Sequence, residues 1–130
     1  MFLIKKKESI EMSGLFDMLN KIHKKPGMYI GRASVTDLFM FIVGYRTARE
    51  ELGVEPTEKE MEFYGDFQPW LQKRYEVSTS GSWARIIEFY INNEERAFYR
   101  FYELLDEFLQ RDSHSKVAQV KEKVGNVTTG

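Results

Sequence analysis

The sequence predicts an all-α fold, a compact bundle of four or five helices around an aromatic-rich core with poorly ordered termini. Three observations carry that reading. Apolar residues recur at helical spacing in nearly every segment between the glycine and proline breakers, whereas alternating runs of four or more residues are scarce. The aromatic residues, 15% of the chain, fall on those helical stripes, where large rings serve a core before they serve a surface. At 130 residues, with 42% apolar against 30% charged, the chain has the length and balance of one globular domain. The folded part is placed at residues 12–111, between an N-terminal extension, 1–11, and a disordered tail, 112–130, whose apolar residues are only valines and one alanine. Met12 followed by Ser13-Gly14 is also readable as a translation start.

The first helix is predicted over Ser13–Lys24, with Leu15, Leu19 and Ile22 on one stripe and Phe16 beside it, stopped by Pro26-Gly27. Pro-Gly then turns the chain, and Met28, Tyr29 and Ile30 are expected to plug the core in extended form. Ser34 caps the second helix, with Asp37 at the reciprocal position, and Gly53 ends it. Its main stripe is Leu38, Phe41, Ile42, Tyr45, Ala48 and Leu52, while Phe39, Met40 and Val43 occupy the other faces, which makes the N-terminal half central to the core.

A short helical piece is expected over Glu58–Tyr64. Asp66 then reads as a new N-cap with Pro69 in the first turn, and Phe67, Trp70, Leu71 and Tyr75 share one face. Ser78 to Ser82 makes a turn before a helix that presents Trp83, Ile86, Ile87 and Tyr90. Asn92 or Asn93 caps the last helix, with Glu94 and Glu95 in its first turn and Phe98, Phe101, Tyr102, Leu105, Phe108 and Leu109 as its buried stripe.

The net charge of −1 conceals an uneven distribution. Residues 1–27 carry six lysines against three acids, 37–110 carry fifteen acids against eight bases, and 111–130 carry four bases against two acids. The acid excess peaks at residues 50–66, where seven carboxylates meet only Lys59. Charge of this kind bears on partners and association rates. The opening Met1-Phe2-Leu3-Ile4 precedes Lys5-Lys6-Lys7, the reverse of a secretory signal, so a cytoplasmic location is expected, and no apolar run is long enough for a bilayer. Zero cysteines remove disulfides and thiol chemistry.

No catalytic or metal pattern surrounds either histidine: His114 falls in the tail, and His23 reads as a surface residue at a helix end among Lys21, Lys24 and Lys25. The serines and threonines of 78–82 read as turn and cap residues, since no nucleophile elbow accompanies them. No cofactor and no small-molecule substrate is expected. Basic arms at Lys5, Lys6, Lys7, Lys21, Lys24, Lys25, Lys116, Lys121 and Lys123 raise nucleic acid as a partner, but a pI near 6.2 argues against a duplex-binding face.

The stretch Pro26-Gly27-Met28-Tyr29-Ile30-Gly31 resembles a signature in the ATPase domains of type II topoisomerases. The helix that follows lacks that family's Glu and Asn, its Asp-x-Gly-x-Gly motif is absent, and the chain is too short for a nucleotide domain, so ATP hydrolysis is rejected. A second resemblance spans residues 14–109. The anchors Pro26 to Gly31, Leu38 to Tyr45, Phe67 with Trp70-Leu71 and Arg74-Tyr75, Ser82-Trp83 with Ile86-Ile87 and Phe89-Tyr90, and Ala97-Phe98 with Phe101 form a pattern similar to small bacterial immunity proteins of polymorphic toxin systems, including contact-dependent growth inhibition. That resemblance implies a non-catalytic cytoplasmic inhibitor of one cognate toxin domain, such as a nuclease. An acidic surface would steer it toward a basic toxin. The expected partner-binding residues are Glu55, Glu58, Glu60, Glu62 and Asp66, with Phe63 and Tyr64 as interleaved anchors. The alternatives are a nucleic-acid-associated or regulatory helical protein, drawn from the basic termini, and an enzyme working through scattered carboxylates.

Overall fold

Six helices and no strand make up the residues described by the computed structural model, 14–79 and 81–129, with side chains described as far as Arg111. They are α1 Leu15–Lys24, α2 Pro26–Ile30, α3 Val35–Glu51, α4 Glu58–Arg74, α5 Trp83–Ile91 and α6 Glu94–Thr129. The expected extension, 1–11, with its lysines and Met12, lies outside the described residues. In the expected tail the backbone of α6 continues to Thr129, while side chains from 112 on, His114 included, lie outside the described set.

Local caps set the helix starts. Ser34 Oγ accepts from Asp37 N at 3.1 Å to open α3, and Ser82 Oγ accepts from Arg85 N at 3.3 Å to open α5. The two adjacent asparagines divide the work between helices: Asn92, left-handed at φ 54°, closes α5, and Asn93 Oδ1 accepts from Arg96 N at 2.8 Å to open α6. α4 starts with the Thr57/Glu60 capping box.

The predicted aromatic core is present. Phe67, Phe98, Phe101 and Phe108 are fully buried with Leu15, Leu19, Ile22, Leu38, Leu71, Ile87 and Leu104. Trp83 stacks on Phe101 at 4.7 Å between ring centres, and Phe67 meets Phe108 edge-on at 5.3 Å, geometries that aromatic quadrupoles favour. Tyr102 Oη donates to Leu19 O at 2.7 Å, tying α6 to α1.

Four expectations require correction. Asp66 opens no helix: α4 is continuous from Glu58 to Arg74 with Pro69 inside it. Proline deprives the Gly65 carbonyl of its partner, but Gly65 and Pro69 are both exposed, so water can take that place, while Phe63, Phe67 and Leu71 hold the opposite face in the core. Residues 26–30 form a turn of helix instead of an extended plug, which leaves Met28 73% exposed. α3 buries Val35, Leu38 and Ile42 only; Met40, Val43, Ala48 and Leu52 are exposed because α5 and α6 cover a single side of it. Tyr90 and Leu109 are exposed, and the interior positions of α6 include Ala97 and Leu104 instead.

Candidate functional site

Helix α4 carries most of the acidic segment, and its geometry sorts the seven expected contact residues into three groups. At about 100° per residue, Glu58, Glu62 and Asp66 succeed one another along one flank, each four positions after the last. Glu58 and Asp66 are exposed and Glu62 is half-buried. Glu55, exposed in the preceding loop, is the fourth surface acid of the segment 55–66. The row runs beside Arg111 of α6, whose Nη2 lies 3.9 Å from Glu62 Oε2 and 3.7 Å from Asp66 Oδ2 while its guanidinium covers the Phe108 ring at 3.7 Å. Ion pairs this open to water contribute little to stability; they fix where the row ends. Beside Glu58 a groove of about 710 Å³ opens, lined by Leu15, Phe16 and Leu109 together with Asp17, Asn20 and Lys59.

Glu60 and Phe63 face the other way and are removed from any contact face. Phe63 lies in the core against Phe67 at 5.0 Å. Glu60 is 1% exposed, and its carboxylate is consumed inside the molecule. Oε2 accepts from Leu15 N at 2.6 Å and from Arg49 Nη1 at 2.7 Å, and Oε1 accepts from Thr57 N at 2.8 Å. Burial works against this charge, but the Arg49 guanidinium and the two backbone N–H groups outweigh it and hold the carboxyl below the ordinary range. Glu60 therefore serves the N-terminus of α1, for which Gly14 supplies no side-chain cap, as well as its own helix.

Tyr64 stands on the flank opposite the acid row. It is half-buried beneath Arg46, whose guanidinium lies 4.3 Å from the ring centre. Burial, reinforced by the negative charge of Glu60, pushes its hydroxyl up to about 12. The acids and the expected aromatic anchors thus do not form one surface.

Two features lie outside apolar periodicity and charge counting. Thr57-Glu58-Lys59-Glu60 spells a capping box, which marks Glu60 as structural. Glu94 repeats the device sixty positions from its partner: Oε2 accepts from Ser34 Oγ at 2.8 Å and from Thr36 N at 3.2 Å, and Oε1 accepts from Thr36 Oγ1 at 2.7 Å. Burial opposes the Glu94 charge, yet these donors lower its pKa.

His23 closes α1 with its ring on Tyr102, 4.3 Å between centres. Among the described residues no group of three or more His, Asp and Glu side chains is placed to hold a metal ion, and no helix is long and apolar enough to cross a membrane. No family model, curated protein or solved structure matches the chain.

Proposed function

We propose that this protein is a non-catalytic immunity protein that binds and neutralises a cognate bacterial toxin domain in the cytoplasm. The observation that supports this reading is the row Glu58, Glu62 and Asp66 along one flank of α4, next to a groove where Phe16 and Leu109 lie among Asp17, Asn20 and Lys59. A pre-built helical face with an excess of negative charge, offset in part by Arg111 beside Glu62 and Asp66, speeds encounter with a basic partner and suppresses wrong ones. A groove beside it gives an apolar side chain of the partner a place to lose water. Glu55, three positions before the helix begins, extends the negative field into the preceding loop. Glu60 and Phe63 contribute by keeping α4 rigid.

Co-expression with a toxin domain encoded next to this chain is the test, with cell survival and co-purification as readouts. Replacing Glu58, Glu62 and Asp66 by lysine is expected to lower the association rate by about tenfold or more at low salt, with a smaller effect at high salt. Unchanged association and survival with all three reversed would remove the acid row from the interface.

A further inference from the structure

We draw no further inference here: the strongest candidate, the uncharged outer face of α3 at Met40, Val43, Gly44 and Thr47, is exposed, but nothing in the structure shows what covers it.

Discussion

Replacing Glu60 by glutamine asks whether one buried carboxylate holds three segments of the chain together. Glutamine keeps an acceptor for Thr57 N but surrenders the charge that Leu15 N and Arg49 Nη1 approach at 2.6 and 2.7 Å. Hydrogen bonds to a charged group contribute about 1.5–3 kcal/mol each, and removing one partner of a buried pair costs about 3–5 kcal/mol. Arg49 keeps 19% of its side chain exposed, so water softens its loss and the lower end applies. The expected loss is about 3 kcal/mol at pH 7, a drop in melting temperature of roughly 12–24 °C for a domain of this size.

The pH dependence has a definite sign. Glu60 titrates below its ordinary value of 4.5 in the folded chain, so the unfolded chain takes up the proton first as acid is added. Its stabilisation is complete above that value and is lost as the pH falls through the folded pKa. The glutamine variant has no such loss, so the gap between the two proteins narrows below pH 4.5. Urea titrations at a series of pH values measure both quantities. A variant within about 0.5 kcal/mol of the parent at neutral pH, the spread of ordinary surface changes, would refute the reasoning. So would a gap independent of pH.

Further perturbations address other parts of the molecule. Pro69→Ala restores the donor that the Gly65 carbonyl lacks and is expected to stabilise by about 1–2 kcal/mol, the helix gain less the looser unfolded chain, by denaturant midpoint. Gly14→Ala would drive its Cβ into the Glu60 carboxylate and toward Arg49 Nη1, and a loss of about 1–3 kcal/mol is expected from that overpacking, readable by calorimetry. Glu94→Ala leaves Ser34 Oγ and Thr36 N without their acceptor, for an expected cost of about 1–2 kcal/mol and faster amide exchange in the first turn of α3. Tyr102→Phe deletes the bond to Leu19 O and is expected to cost about 1 kcal/mol.

The helices with strong apolar periodicity were legible in the sequence because position and burial there follow one rule. Leu15, Leu19 and Ile22 on α1, and Trp83, Ile86 and Ile87 on α5, are buried as their spacing predicts. Pro69 misled, since a proline beside an acid looks like a helix start, and only the tertiary pull of Phe63, Phe67 and Leu71 on one face shows that the helix runs through. Met40, Val43 and Leu52 misled for the converse reason: a helix can be apolar all round and still have neighbours on one side only. Within the acidic segment, composition alone could not separate Glu58, Glu62 and Asp66 from Glu60. The capping-box spacing could, because it assigns the Glu60 carboxylate to backbone donors.

Two carboxylates, buried Glu60 and half-buried Glu94, join residues far apart in the chain, Leu15 to Glu60 and Ser34 to Glu94. Helices α1 and α3 therefore await groups that a ribosome delivers dozens of residues later. Any fragment ending before α4 leaves Leu15 N without its carboxylate acceptor, and any fragment ending before α6 lacks both Glu94 and the phenylalanines at 98, 101 and 108. Closing long loops of this kind carries an entropic cost that grows slowly with their length. Helix α1 thus gains its acceptor only once α4 has been made, and α3 gains Glu94 and the buried rings only once α6 has been made.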